Sequence, residues 1–143
     1  MRMILLALFF SLTGCAATPD AVSYSDTMEI IRDAAQQAPA VVSGDYVLLF
    51  KAAGNKGGYT YLNTELDYRD QRNVTVALTP SMSVALQIRY GLPPAAFFVG
   101  KSVRIKGEAR QEKIYLFCNG RVSSKYYYQT HINVSEMSQL EVL

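Results

Sequence analysis

Hydrophobic and polar residues alternate along several stretches of this 143-residue chain, and a period of two residues predicts β-strands. The clearest stretch is NVTVALT at 73–79, where the two interior valines and Leu78 fall on one face. Upstream, DYVLLFKAA from Asp45 is an apolar run, NKGG at 55–58 is a turn, and YTYLN at 59–63 resumes extended structure. The central part of the chain therefore predicts three consecutive strands.

Extended structure returns in the second half of the chain. KSVRIKGEAR alternates, with Val103 and Ile105 facing inward and Arg104 and Lys106 facing water, and Gly107 predicts a bulge or a sharp bend. KIYLFC and SKYYYQTHINV predict two further extended segments. Between them CNGRVSSK has the character of an insertion, and the chain closes with SQLEVL.

Two stretches have the period of a helix instead. In the first, residues 25–40, Ser25 is the predicted N-cap and Pro39 the stop, with one apolar face made by Met28, Ile31, Ala35 and Ala38. In the second, SMSVALQIRYG, the apolar residues Met82, Leu86 and Tyr90 are spaced by four and Gly91 ends the helix. PPAAFFVG then predicts a loop that carries an aromatic plug.

The order of these elements predicts the fold class. A mainly β chain with a helix between its third and fourth strands has the order of an OB-fold, a five-stranded Greek-key barrel. Here the barrel is preceded by the N-terminal helix. Half of the residues are hydrophobic, which is enough for one core, so residues 41–143 are expected to form one domain.

The N-terminus predicts export. MRMILLALFFSLTGC has a short basic start and an apolar run from Ile4 to Phe10, the length of a signal-peptide core and too short to span a bilayer. Leu12-Thr13-Gly14-Cys15 resembles the bacterial lipobox, in which the cysteine becomes the lipidated first residue. The resemblance implies a signal peptide at 1–14, a lipid on Cys15 and a tether at 15–24.

The same resemblance implies a location. Ala16-Ala17 lacks the aspartate that would resemble an inner-membrane retention signal. We therefore expect the protein on the periplasmic face of the outer membrane, held there by the lipid on Cys15. The alternative is an ordinary secreted protein in which Cys15 is incidental.

The second half of the chain also resembles a family. YLN, then NVTVAL, and above all AAFFVGKSVRIKGEAR look like the small bacterial OB-fold domains found in lipoproteins and beside nuclease modules. The resemblance covers residues 45–143. Its motifs are fold signatures, because Gly100, Lys101 and Gly107 serve turn and strand geometry.

Candidate chemistry is sparse. Glu65, Asp67, Arg69, Asp70 and Arg72 crowd one loop, but their charges compensate, so a salt-bridged loop is favoured over a catalytic or metal site. Cys118 is expected to be a buried small hydrophobe, and His131 a histidine on a strand surface. Nucleotide-binding glycine patterns, metal-ligand spacings and a nucleophile elbow are missing, so we expect no cofactor and no enzyme.

Binding remains as the function class. The net charge of +2 is too small for a chain that binds nucleic acid electrostatically as a whole, although Lys101 to Lys125 holds seven bases against two glutamates. A face of exposed aromatic and basic residues could bind single-stranded nucleic acid or an oligosaccharide: Tyr59, Tyr61, Arg104, Lys106, Lys125 and Tyr127. The periplasm holds little nucleic acid, so we expect an adaptor that holds an envelope protein or peptide. A nuclease-type enzyme is a further alternative.

Overall fold

The fold was analysed in a computed structural model, which describes residues 21–143. The predicted signal peptide and Cys15 lie outside the described residues. Of the elements, three are α-helices, one is a 3-10 helix and seven are strands: α1 Thr27–Gln37, β1 Val42–Leu49, β2 Ala52–Lys56, β3 Tyr59–Asn63, β4 Val74–Leu78, α2 Pro80–Tyr90, α3 Pro94–Phe97, β5 Ser102–Cys118, β6 Arg121–Val134, the 3-10 helix Met137–Gln139 and β7 Leu140–Val142. Within residues 21–143 no helix has the length and apolar character needed to cross a bilayer.

The strands form one mixed sheet in the order β1-β5-β6-β4-β3-β2, with β7 also paired to β5. All pairs are antiparallel except β4 with β6, which run parallel. The chain is therefore mainly β, as the alternation of residues predicted.

The sheet rolls up because its two outer strands are consecutive in the chain. Only Phe50 and Lys51 separate β1 from β2. The Phe50 amide donates to the Lys101 carbonyl at 3.3 Å, whereas the Lys51 amide donates to the Asn63 carbonyl at 2.8 Å. One bent segment thus pairs with β5 along its first half and with β3 along its second half, and this arrangement encloses an interior.

That interior is the core. Alternate residues of the strands point into it, and they include the fully buried Leu48, Phe50, Leu62, Val76, Leu78, Val103, Ile105 and Ile132. Helix α1 contributes Ile30 and Ala34, and helix α2 contributes Met82 and Leu86. Phe98 is also fully buried, so the PPAAFFVG segment supplies the predicted plug, although it does so from the short helix α3 instead of a plain loop.

Helix α2 confirms the sequence-based assignment, whereas α1 differs from it. Gly91 ends α2 in the left-handed conformation with φ of 75°. In α1 the N-cap is Asp26, which accepts from the Met28 amide, and Ser25 Oγ instead accepts from the Val47 amide at 2.9 Å. The buried face carries Ile30 and Ala34, and of the four predicted face residues only Ile31 packs against the core.

The error in α1 follows from the way the helix docks. Met28 is 51% exposed, and Ala35 and Ala38 are also exposed. The side chain of Ser25 ties the segment before the helix to β1, and this contact sets which face of the helix turns towards the core. The helix ends at Gln37, earlier than the predicted 40.

Gly107 does not form the predicted bulge. It pairs in register with Gly44 of β1, inside an unbroken ladder from Ser102 to Ala109. A Cβ atom at this position would lie 2.8 Å from Ile132 Cγ2. The glycine is thus required by the close approach of β6.

The segment that we interpreted as an insertion is the end of a hairpin. KSVRIKGEAR and KIYLFC are parts of the single 17-residue strand β5, and Asn119 and Gly120, at φ of 52° and 73°, turn the chain into β6. Along β5 the pairing with β1 ends at Ala109, and along β6 the pairing with β4 begins only at Thr130. Residues 110–129 therefore project beyond the rolled sheet as a two-stranded ribbon, which we call the arm.

Candidate functional site

Side chains from four adjacent strands meet on the outer surface of the rolled sheet. The strand register places Asn63 of β3 opposite Thr75 of β4, Thr75 opposite His131 of β6, and His131 opposite Arg110 of β5. Such a row is a consequence of the two-residue period, because every second residue faces outward. Asn63, Thr75 and His131 of this row line a depression at the base of the arm.

The depression is a cleft between the arm and the β2–β3 hairpin, with a volume of about 490 Å³. The β2–β3 hairpin and the loop at 64–73 form one wall, and the arm forms the other. Its lining residues are Gly54, Asn55, Lys56, Tyr61, Asn63, Tyr68, Arg69, Thr75, Ile114, Tyr115, Leu116, Phe117, Tyr127, Gln129 and His131. We refer to it as the cleft.

Aromatic rings make up much of the cleft. Tyr61 stacks on Tyr59 with ring centroids 6.1 Å apart and planes 22° apart, and its other neighbour is His131 at 6.3 Å. Tyr127 faces them from the arm, and partial burial raises the pKa of its phenol. The flat rings on both walls provide surfaces on which an apolar or planar group can pack.

A chain of hydrogen bonds runs along β6 at the edge of the cleft. Gln129 Nε2 donates to Tyr127 Oη at 2.7 Å, and Gln129 Oε1 lies 2.7 Å from His131 Nε2. The amide oxygen can only accept, so His131 carries its proton on Nε2. Burial lowers the pKa of His131, with Glu112 opposing that shift and Arg110 adding to it. The ring is therefore neutral at neutral pH, a donor in a polar network with no charge of its own.

The charged residues of the cleft are all cations. Lys56 and Arg69 line it, and among its described lining residues there is no aspartate or glutamate. Arg69 also lies over the Tyr68 ring at 5.4 Å. A ligand that brings negative charge therefore meets opposite charge here.

The loop at 64–73 holds its carboxylates in tight turns. Asp67 accepts from the Arg69 amide at 2.9 Å and pairs with the Arg69 side chain at 3.4 Å. Asp70 accepts from the Arg72 amide at 2.9 Å and pairs with the Arg72 side chain at 2.7 Å. Hydrogen bonds from Arg72 lower the pKa of Asp70 to about 2. Neither aspartate lines the cleft, so the compensated charges serve the loop's shape, in agreement with the sequence-based interpretation.

Asn73 fixes that loop to the sheet. Its buried amide donates to Thr75 Oγ1 at 2.9 Å, to Asn63 Oδ1 at 3.2 Å and to the Tyr68 carbonyl at 3.3 Å, and its oxygen accepts from the Glu65 amide at 3.1 Å. One side chain thereby joins β3, β4 and the loop. Tyr68 and Arg69 are held at the cleft by this network.

The structure brings together some of the residues that we predicted to bind a ligand. Tyr61 and Tyr127 line opposite walls of the cleft, and Tyr59 stacks behind Tyr61. Lys125 is exposed on the arm but does not line the cleft. The cluster is thus built around the three tyrosines.

Two predicted residues lie elsewhere. Arg104 pairs with Glu141 at 2.9 Å and with Asp45 at 3.7 Å, between β7 and β1. Lys106 is exposed opposite Asp45 on the same half of β5. Both cations lie on the first half of β5, which pairs with β1 in the barrel, and not on the second half, which forms the arm.

Sequence reasoning missed the polar part of the site. His131 lies on the outer face of its strand as expected, but it is half-buried and bonded to the half-buried Gln129, which the sequence did not indicate. Asn63 and Thr75 were not singled out either. The available signal was the Asn119-Gly120 pair, which is typical of a two-residue hairpin turn and would have joined the two last extended segments into one hairpin.

The outer end of the arm is unusually apolar for an exposed ribbon. Phe117 and Val122 face each other near the turn and are 67% and 62% exposed. On the ribbon below, Lys113 Nζ lies 3.9 Å from the Tyr126 ring centroid and 5.5 Å from that of Tyr115. Cys118 is exposed at the tip, so the expectation of a buried cysteine was wrong, because both faces of a two-stranded ribbon meet water.

A second groove lies between α1 and β1, with a volume of about 550 Å³. Four carboxylate residues line it: Asp26, Glu29, Asp33 and Asp45. Asp26 caps α1, and Glu29 and Asp33 pair with Arg32. Among the described residues no cluster of potential metal ligands occurs, here or in the cleft.

Comparison with known proteins does not identify a family. No protein-family model matches the chain, and no curated protein matches it. Among solved structures, an aspartyl-tRNA synthetase from Entamoeba histolytica superposes with a TM-score of 0.45 at 10% identity, over 89% of this chain and 23% of that one. A chain described as an aspartyl-tRNA synthetase from Leishmania major Friedlin gives 0.42 at 13%, over 89% and 22%. The chain thus spans less than a quarter of either protein.

Proposed function

We propose that the rolled sheet is an OB-fold barrel. If β1 and β2 count as one bent strand, the first of five strands pairs with the second and the fourth, and the third pairs in parallel with the fifth. Helix α2 connects the third strand to the fourth. OB-folds bind ligands over their second and third strands, between the loops after strands one and four. In this chain those two loops are the β2–β3 turn and the tip of the arm, on either side of the cleft.

We propose that the protein is a lipid-anchored binding module of the bacterial envelope that holds another protein or peptide in this cleft. The observation that carries the proposal is the cleft itself, in which aromatic rings, side-chain amides and two cations converge without a carboxylate. Clefts that combine apolar walls with a few fixed polar groups are typical binding sites. We also propose that the module has no catalytic activity, since Asp67 and Asp70 are occupied by arginines.

The point at which the predicted tether joins the folded domain supports an anchored adaptor. Tyr24 is the last residue of the predicted tether, and its hydroxyl lies 2.6 Å from Ser102 Oγ, at the start of β5. The tip of the arm lies at the other end of this 17-residue strand. At about 3.3 Å per residue, the path along the strand is roughly 50 Å. An anchor at Cys15 would therefore leave the arm and the cleft pointing away from the membrane.

A second candidate ligand is a single-stranded oligonucleotide or an oligosaccharide. The stacked pair Tyr59 and Tyr61, together with Lys56 and Arg69, offers the combination of rings and cations on which bases and phosphates bind. The exposed apolar end of the arm favours a protein partner, because large exposed apolar side chains such as Phe117 and Val122 are typical of protein–protein contact surfaces.

Photo-crosslinking in intact cells tests the adaptor. A photoreactive phenylalanine analogue replaces Leu116, which lines the cleft, or Ile88, which is 79% exposed on α2. We expect a discrete product with one polypeptide from position 116 and none from position 88. The product should be lost in Tyr61→Ala. Equal labelling from both positions, or none from either, would count against the proposal.

The anchor has its own test. Cys15→Ser should abolish incorporation of radiolabelled palmitate and release the protein from the membrane fraction. Cys118→Ser is the matched control, because it removes the other cysteine of the chain and should leave both readouts unchanged. Membrane association that survives Cys15→Ser would contradict the lipid anchor.

A further inference from the structure

The main chain of β6 is unpaired on the side that faces the cleft. β6 pairs with β4 only from Thr130 to Val134, so from Arg121 to Gln129 its single neighbour is β5. Beyond β4 on the same side lie β3 and β2, whose residues line the opposite wall. On this side of Tyr126 to Gln129 the backbone N–H and C=O groups therefore point into the cleft, and no neighbouring strand pairs with them.

The loop at 64–73 is what leaves this edge open. The parallel register pairs Val74 with Thr130, so an extension of β4 by four residues would cover Tyr126 to Gln129. The chain turns away instead, because the Asp70 amide bonds to the Asp67 carbonyl and the Asn73 amide to the Asp70 carbonyl, each at 3.0 Å. The loop hydrogen-bonds to a side chain of β6, where the Tyr68 carbonyl accepts from Gln129 Nε2 at 3.4 Å.

The open edge is regular where it borders the cleft. From Tyr126 to Ile132 the pairing with β5 continues without a shift, and the irregularity lies nearer the tip, between Tyr115 and Phe117. There Ser123 Oγ accepts from the Lys125 amide at 3.2 Å and takes up that donor locally. Bulges of this kind protect edges from pairing, and the protection stops before Tyr126.

The positive charge around the edge favours an extended polypeptide that carries negative charge. Lys56 and Arg69 line the cleft, with Arg69 also paired to Asp67, and the arm carries Arg110, Lys113, Arg121 and Lys125 against one carboxylate, Glu112. Between Lys113 and Ser135 the sequence contains no aspartate or glutamate. A neutral His131 adds no charge of its own. The segment that fits carries carboxylates among apolar side chains.

We infer that the cleft binds an extended, acidic polypeptide segment that adds as a strand to the free edge of β6 from Tyr126 to Gln129. This inference rests on the proposed function and specifies its ligand and its binding mode. Alternating amide and carbonyl groups along an extended backbone are what such an edge pairs with, and a polypeptide supplies them. Apolar side chains of the added strand would pack on Tyr61 and Tyr127, and its carboxylates would meet Lys56 and Arg69 in the same cleft.

Two matched peptides test the inference. The probe is a short, fluorescein-labelled peptide of alternating valine and glutamate, and its twin has the same sequence with every backbone nitrogen methylated. Both carry the same side chains and charge, but only the first can donate hydrogen bonds to a strand edge. Fluorescence anisotropy is measured with the full chain in detergent micelles. Losing the backbone bonds should weaken binding roughly tenfold or more.

Variants of the protein locate the contact. Arg69→Gln should weaken binding of the unmodified peptide, and the weakening should shrink at high salt. Arg89→Gln is the matched control, since Arg89 is an exposed cation on α2, away from the arm. A peptide of alternating valine and lysine should bind far more weakly than the probe.

Four results would overturn the inference. They are equal binding of the methylated twin, no binding of the probe at millimolar concentration, no effect of Arg69→Gln, and failure of the probe to displace an oligothymidine that binds the cleft. If any of these occurs while crosslinking from position 116 still yields one polypeptide, the adaptor stands and the strand-addition mode falls. If crosslinking also fails, the proposed function falls with it.

Discussion

His131 Nε2 lies 2.7 Å from Gln129 Oε1, and this contact ties the base of the cleft to its polar edge. The two residues are neighbours on one face of β6, so the sheet period places them together. Because Gln129 also donates to Tyr127 Oη, the three side chains form one oriented unit. Protonation at Nδ1 would leave the Nε2–H bond in place, so acid acts on this unit by placing a charge on a partly buried ring.

We predict that acidification destabilises the protein through His131. Burial lowers the folded-state pKa below the ordinary value of 6.5, so the unfolded state binds more protons in this range. The contribution of neutral His131 to stability should be fully present above about pH 6.5. The free energy of unfolding should then fall as the pH drops towards the folded-state pKa. Urea titrations at about pH 7.5 and pH 5 measure the difference.

His131 is the one histidine of the chain, so a variant without it is a direct control for this prediction. His131→Gln should lose most of the dependence between those two pH values, because the carboxylates titrate lower. An unchanged dependence in the variant would show that another group is responsible.

We predict that Asn73→Ala lowers the free energy of unfolding by about 2–3 kcal/mol, because it leaves several buried groups without partners. The side chain bonds to β3, β4 and the loop at once. Gln71→Ala, at an exposed position in the same loop, should change stability by less than about 0.5 kcal/mol. Equal effects of the two substitutions in denaturant unfolding would contradict the role assigned to Asn73.

We predict that Gly107→Ala destabilises by about 1–3 kcal/mol, because the added methyl group overpacks the interface with β6. The new Cβ would lie 2.8 Å from Ile132 Cγ2. Gly54→Ala is the matched change on another strand, where a Cβ meets no atom within 4 Å, and it should be close to neutral. Thermal unfolding of both variants gives the comparison, and a neutral Gly107→Ala would be inconsistent with the close approach.

We predict that the Asp70 carboxyl titrates at about pH 2 and that Arg72→Ala raises its pKa towards 3.8. Hydrogen bonds from Arg72 favour the ionised form, so this contribution to stability is present above pH 3.8 and is lost as the pH falls through about 2. Carbon-detected NMR titration of the aspartates measures both values. A pKa of Asp70 that does not move in Arg72→Ala would remove the arginine as its cause.

Local patterns predicted much of the fold. The β4 strand, the turn before β3 and the Gly91 stop of α2 are properties of a few adjacent residues, and each was confirmed, although both faces of β4 are buried. The cap and the buried face of α1 were not predicted, because they depend on how Ser25 bonds to Val47, a residue far away in the sequence.

The candidate site was harder to predict for the same reason. The three tyrosines Tyr59, Tyr61 and Tyr127 were found from composition and period, but Arg104 and Lys106 were grouped with them by charge alone. The length of β5 separates them, and that length shows only once the Asn119-Gly120 turn is recognised as the end of one hairpin. The partial burial of His131 and its bond to Gln129 were not predicted, because a strand face does not reveal what packs on it.

The most direct test of the central claim is amide-resolved NMR of the full chain during titration with the valine–glutamate peptide. The account predicts shifts that concentrate at Tyr61, at Arg69 and along Tyr126 to Gln129, with slower amide exchange on the β6 edge. Shifts confined to the α1–β1 groove, or no shifts at saturating peptide, would contradict a cleft that holds an extended polypeptide.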